Sequence, residues 1–114
     1  MPSMFLGTKS GKFVLNDDII VDNRKSPGQG SPLQNLIADY NGDGKLDIFI
    51  ADTGMGSHKG HRDSYFLSQP NGTLLESSAS HLDRRGKGIA FNHAAATGDI
   101  DGDDDMDIVW SVSG

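Results

Sequence analysis

Short apolar runs rich in β-branched and aromatic residues recur along the chain, separated by clusters of Gly, Asn, Asp and Pro. That rhythm favours strands joined by turns over amphipathic helices, and the helical reading is weak throughout. Four short strands are predicted in the middle: LQNLIAD (33–39), LDIFIAD (46–52), DSYFLSQ (63–69) and TLLESSA (73–79). In the second, Leu46, Ile48, Phe49, Ile50 and Ala51 place apolar side chains on both alternating faces, as in a strand whose sheet is covered on each side. The PNG at 70–72 between the last two strands is a hairpin turn.

The pattern is duplicated. A shift of 60 places Asp39, Asp43, Asp47 and Ile48 on Asp99, Asp103, Asp107 and Ile108, and a shift of 61 places Phe5, Leu6, Gly11 and Phe13 on Phe66, Leu67, Gly72 and Leu74. A repeat of this length, built as a four-stranded antiparallel meander that neighbours must cover, predicts an all-β chain of β-propeller blades. About two blade equivalents are present: an outer hairpin at 3–22, a full blade at 33–80 and an inner hairpin at 91–113. Two blades cannot close a ring, because propellers typically need about four to eight. The terminal halves of adjacent chains are therefore expected to pair, three or four copies giving a six- or eight-bladed homo-oligomer; otherwise the chain is a piece of a longer protein.

Composition sharpens this picture at one point. Hydrophobic residues make up 35% of the 114 and charged ones 23%, the balance of an ordinary globular domain. The net charge of -6, however, is concentrated, since nine of the 16 acidic residues lie in two nonapeptides, DYNGDGKLD (39–47) and DIDGDDDMD (99–107). Neither a membrane span nor an export signal is visible, and no nucleic-acid partner is expected. The absence of cysteine removes disulfides and thiolate sites.

Each nonapeptide has side-chain oxygens at its first, third, fifth and ninth positions with glycine at the fourth. A hard cation such as calcium takes six to eight oxygens at about 2.3–2.6 Å, and a short loop supplies several only if alternate side chains point inward while the backbone turns sharply. In the first loop Asp39, Asn41, Asp43 and Asp47 are the expected side-chain ligands and Lys45 offers its carbonyl, with Gly42 and Gly44 making the turn. In the second, Asp99, Asp101, Asp103 and Asp107 take those roles and Asp105 offers the carbonyl. Two Ca2+ sites follow. The bland alternative is that Asp, Asn and Gly are simply turn formers, which two copies in register make the weaker reading. An EF-hand is set aside because position twelve is Ile50 or Trp110, inside a strand, rather than Glu. Dockerin-like pairs fail likewise, a nine-residue β-roll has the wrong period, and magnesium seldom uses an all-protein cage.

DYNGDGKLDIFIAD and HAAATGDIDGDDDMDIVWS, together with YFLSQPNGTL, resemble the FG-GAP/VCBS repeats of integrin-α-type calcium-binding propellers. The resemblance covers nearly the whole chain and implies that the acidic loop joins the first two strands of a blade. Asp104 stands where the first copy has Gly44, and His93 where it has Leu33.

With the acidic loops and the PNG turn on one face, the longer connections 22–32, 52–63 and 80–90 fall on the other. They hold seven of the ten basic residues, including Arg24, Lys25, Lys59, Arg62, Arg84, Arg85 and Lys87. Loops on a rigid scaffold commonly carry recognition, so an anionic glycan or carboxylate-rich protein is the expected partner of Arg62, Arg84, Arg85 and Lys87. Solvated loop charge is the alternative. His58 and His61 lack a third ligand for zinc, and His93 is expected in packing or hydrogen bonding. Trp110 aligns with Ile50 and is expected in the core. No catalytic constellation emerges, and the expected role is a calcium-braced binding or adhesion module at the cell surface or outside the cell. The competing readings are part of a carbohydrate-active enzyme of the polysaccharide-lyase type and a purely structural spacer.

Overall fold

The strand predicted to be apolar on both faces is buried on both in the structure. The computed structural model describes residues 3–25, 27, 32–52, 63–82 and 91–113. Its elements are β1 (Phe5–Gly7), β2 (Phe13–Leu15), a 3-10 turn (Asp17–Ile19), β3 (Ile20–Val21), β4 (Pro32–Ala38) and β5 (Asp47–Asp52). They are followed by β6 (Ser64–Ser68), β7 (Leu74–Glu76), α1 (Ser78–His81), β8 (Phe91–Gly98) and β9 (Asp107–Ser113). β4 to β7 form an antiparallel meander, and the hairpins β1–β2 and β8–β9 lie apart from it as two-stranded sheets.

Alternation along β5 divides its side chains between two cores. Phe49 and Ala51 point to one face, where they meet Leu36, Tyr65, Leu67 and Ala95, and where Ile108 and Trp110 of β9 pack. Ile50 points to the other, against Phe66, Leu74 and Ile20, with Met4, Ile19 and Ile48 alongside. Register explains the sorting: Phe49 sits opposite Tyr65 and Ile48 opposite Phe66, so each pair shares a face. The sheet is thus covered by the β8–β9 hairpin on one side and by the N-terminal segment on the other. Trp110, half-buried, packs against this core, stacked on Phe49 with ring centroids 6.3 Å apart.

The duplication extends to an irregularity. The β4–β5 ladder shifts register between Pro32 and Gln34, and the β8–β9 ladder shifts between Asn92 and Ala94. The residues skipped are Leu33 and His93, one repeat apart, so both copies keep a bulge at the same place.

Two features depart from the sequence reading. The strand expected over 73–79 ends at Glu76, and a helical turn follows. The buried Glu76 carboxylate accepts from Tyr65 N at 2.9 Å, Ser78 N at 2.8 Å and Ser78 Oγ at 2.5 Å, which turns the chain before the strand can continue. Serines there compete for backbone groups, as they commonly do at element ends. The second departure is a fifth strand: β3 runs parallel to β7, with Ile20 opposite Leu74 and Val21 opposite Leu75. The chain arriving from the N-terminal hairpin therefore covers the outer edge of the meander.

Candidate metal centre

The loop between β4 and β5 is wound around one carboxylate. Asp39 Oδ1 accepts from Gly42 N at 2.9 Å and Asp43 N at 3.2 Å, while Asp39 Oδ2 accepts from Gly44 N at 2.8 Å. Asp43 Oδ1 then accepts from Lys45 N at 2.9 Å, and Asn41 Oδ1 from Asp43 N at 3.4 Å. The loop between β8 and β9 repeats these bonds. Asp99 accepts from Gly102 N at 2.9 Å, Asp103 N at 3.1 Å and Asp104 N at 2.9 Å, Asp101 Oδ1 from Asp103 N at 3.3 Å and Asp103 Oδ1 from Asp105 N at 3.0 Å. Backbone N–H groups thus hold the side chains of both loops by the same bonds at the same positions.

The turn needs left-handed backbone twice in each loop, at Gly42 (φ 73°) and Gly44 (φ 84°), then at Gly102 (φ 78°) and Asp104 (φ 72°). No heavy atom lies within 4 Å of a Cβ built on Gly42, Gly44 or Gly102, so conformation rather than space selects glycine. Asp104 adopts the conformation without that freedom, which an aspartate tolerates better than most residues.

The ninth position anchors the loop to the sheet. Asp47 is fully buried and accepts from Tyr40 N at 3.0 Å and Ser68 N at 2.9 Å, reaching from β5 to β6. Asp107 Oδ2 likewise accepts from Ile100 N at 2.8 Å. The Lys45 ammonium turns away and donates to the Gln69 carbonyl at 3.2 Å, so the loop and the 69–73 hairpin turn sit together at one end of the sheet.

In the second loop one oxygen each of Asp99, Asp101, Asp103 and Asp107 lies within 4.8 Å of the others. Calcium–oxygen distances of about 2.3–2.6 Å let two ligands of one ion stand up to about 5 Å apart, so all four fit a single coordination sphere. Among the described residues no basic side chain forms a salt bridge with either loop. No other group of three acidic or histidine side chains converges among the described residues, Asp39, Asp43 and Asp47 of the first loop included, and Asn41 stands there in place of Asp101.

Tyr40, within the first loop, donates to or accepts from Thr97 Oγ1 across to β8 at 2.5 Å, and its ring meets Tyr65 edge-on at 5.7 Å. Burial pushes the Tyr65 phenol well above its ordinary value, and the negative charge of Asp47 adds to the effect. Burial also raises Tyr40, partly offset by its bond to Thr97. Sequence reasoning missed both tyrosines, because their partners are about 57 and 25 residues away.

The opposite end of the sheet is different in character. Arg24, expected on a recognition face, is instead held in an ion pair, donating to Asp22 Oδ1 at 2.8 Å and Oδ2 at 2.7 Å and to Ser64 Oγ at 3.0 Å, with Glu76 at 3.8 Å. Its burial lowers the guanidinium pKa, but the bond to Asp22 and the charges of Glu76, Asp22 and Asp52 outweigh that and raise it. Arg24 is committed to the sheet because Asp22 and Glu76 carry side chains that are almost wholly buried. Arg62, Arg84, Arg85, Lys87, Lys59, His58 and His61 lie outside the described residues.

An antiparallel meander packed against a hairpin of the same repeat, with an acidic loop between the first two strands of each, defines a β-propeller-type repeat module. The FG-GAP-like repeat profile matches residues 39–110, and the chain belongs to that family. No curated protein and no solved structure gives a significant match.

Proposed function

We propose that the chain is a calcium-braced propeller module for binding or adhesion, with one Ca2+ in each acidic loop. The observation that carries this reading is the convergence of Asp99, Asp101, Asp103 and Asp107 within 4.8 Å without a basic partner among the described residues. Asp39, Asn41, Asp43 and Asp47, with the Lys45 carbonyl, hold the first ion; the Asp105 carbonyl completes the protein ligands of the second. The ions have a structural role. Each ties a loop to the start of β5 or β9 and offsets like charge that otherwise opposes the compact state. Sites with dissociation constants of about 10⁻⁴–10⁻³ M are filled by extracellular calcium, which agrees with a role at the cell surface or outside the cell.

The test is calorimetric titration of the metal-free chain with CaCl2 and, separately, MgCl2. Two calcium sites are expected, with little heat from magnesium. Absence of both heat and thermal stabilisation at 10 mM CaCl2 (about tenfold above the weakest such sites) would falsify the reading. The recognition role is assigned to the basic connections carrying Arg62, Arg84, Arg85 and Lys87, supported by their positive sequence charge. Binding of the chain to sulfated or uronic polysaccharides should fall when Arg84, Arg85 and Lys87 become Ser, and unchanged binding removes that assignment.

A further inference from the structure

The meander shows what each flanking hairpin lacks. By the internal repeat β1–β2 corresponds to β6–β7, and β8–β9 to β4–β5. In the meander β5 pairs with β6, whereas among the described residues β1 pairs only with β2 and β9 only with β8. The cost is visible in the side chains. Phe5 is 59% exposed where its counterpart Phe66 is 1%, and Val109 is 52% exposed where Phe49 is fully buried.

We propose that these halves complete one another between copies of the chain: β9 of one copy pairs antiparallel with β1 of the next, making a composite four-stranded blade. Transferring the β5–β6 register through the repeat sets Phe5, Met4 and Ser3 opposite Ile108, Val109 and Trp110 of the partner subunit, respectively.

The backbone is already arranged for that register. Asn16 N donates to Met4 O and Met4 N to Asp17 Oδ1, each at 2.8 Å, so the Met4 peptide groups turn inward. Pleating then turns those of Ser3 and Phe5 outward, to the open edge. Tyr65, the counterpart of Met4, behaves alike: it accepts from Ser77 N at 2.7 Å and donates to Glu76 at 2.9 Å.

Side-chain direction agrees independently. Ile108 and Trp110 pack on the sheet of their own copy, so Val109 points away from it. The opposite face of the sheet has an apolar groove of about 180 Å³ lined by Met4, Ile37, Ile48, Ile50 and Phe66, and Ile37 there is 60% exposed. Pairing β9 with β1 of the next copy lays Val109 on that groove. A second copy is the occupant because the chain carries both halves of the same repeat, matched in register. The contact is head to tail, and the rotation from blade to blade of a propeller closes it into a ring rather than a filament. Each copy contributes two blades, and a ring of about four to eight blades needs two to four copies.

The test uses the natural lack of cysteine. Met4→Cys and Val109→Cys variants are prepared separately, with Val109→Asp as a third. Met4 and Val109 form the close, non-hydrogen-bonded kind of pair, whose Cα separation of about 4.5 Å suits a disulfide. Mild oxidation should link the two cysteine variants when mixed and leave each alone largely unlinked. Light scattering in calcium should give two to four times the 12.2 kDa chain mass. Val109→Asp should shift that mass to one chain with the circular dichroism of the parent. A parent mass of one chain at 50 µM (about that of routine scattering, above a micromolar affinity), or linking within each variant alone as strong as in the mixture, overturns the proposal. The assembly rests on strand pairing and not on the calcium sites, and mass and calorimetry read the two separately.

Discussion

Asp104 and Asp47 serve different needs of the acidic loops, one backbone shape and the other attachment to the sheet. Asp104 holds φ 72° where the first loop has Gly44 at 84°. Left-handed backbone costs an L-residue about 1–2 kcal/mol, less for Asp, so Asp104→Gly should stabilise the chain by about 1 kcal/mol in urea unfolding. Asp47 carries two backbone hydrogen bonds from full burial, so Asp47→Ala should cost about 3 kcal/mol even in a chelator. Asp101 is exposed and has one weak bond at 3.3 Å. Asp101→Asn should leave stability in chelator within about 0.5 kcal/mol yet weaken calcium binding by calorimetry. If the loops were only turns, Asp101→Asn would leave the calcium titration unchanged.

Between elements, the two ends of the sheet are tied by different chemistry. At one, Arg24 links the segment after β3 to β6 and β7 through Asp22, Ser64 and Glu76. Removing one partner of a largely buried ion pair typically costs about 3–5 kcal/mol, and Arg24, partly exposed, belongs at the low end. Arg24→Ala should therefore lower the unfolding free energy by about 3 kcal/mol, read by urea titration. At the other end Tyr40 and Tyr65 join the first acidic loop to β8 and β6. Both phenols have pKa values raised by burial above 10.0. The unfolded chain therefore loses these protons first, binds fewer than the native state above about pH 10, and stability should fall as pH rises from there. Tyr65→Phe should flatten that alkaline decline in a series of thermal melts.

For the whole molecule the stabilising terms come from coverage. The meander lies between the β8–β9 hairpin and the N-terminal segment carrying Met4, Ile19 and Ile20, and the chain lacks cross-links. Ions that bind only the native state add to its stability by mass action: at a hundredfold excess over the dissociation constant, about 2.7 kcal/mol per site. Excess EDTA should accordingly lower the melting temperature by more than about 10 °C for two sites, by scanning calorimetry. The meander strands, the repeat and the acidic loops were legible in the sequence because each is written in a local pattern. Apolar alternation sets which faces of β5 are buried, and the Asp and Gly spacing encodes how the chain winds around Asp39 and Asp99. Only the tertiary structure decided the roles of Arg24, Tyr40 and Glu76, and the pairing of β3 with β7. Those depend on groups about 11 to 57 residues apart, brought together by packing that no local pattern records.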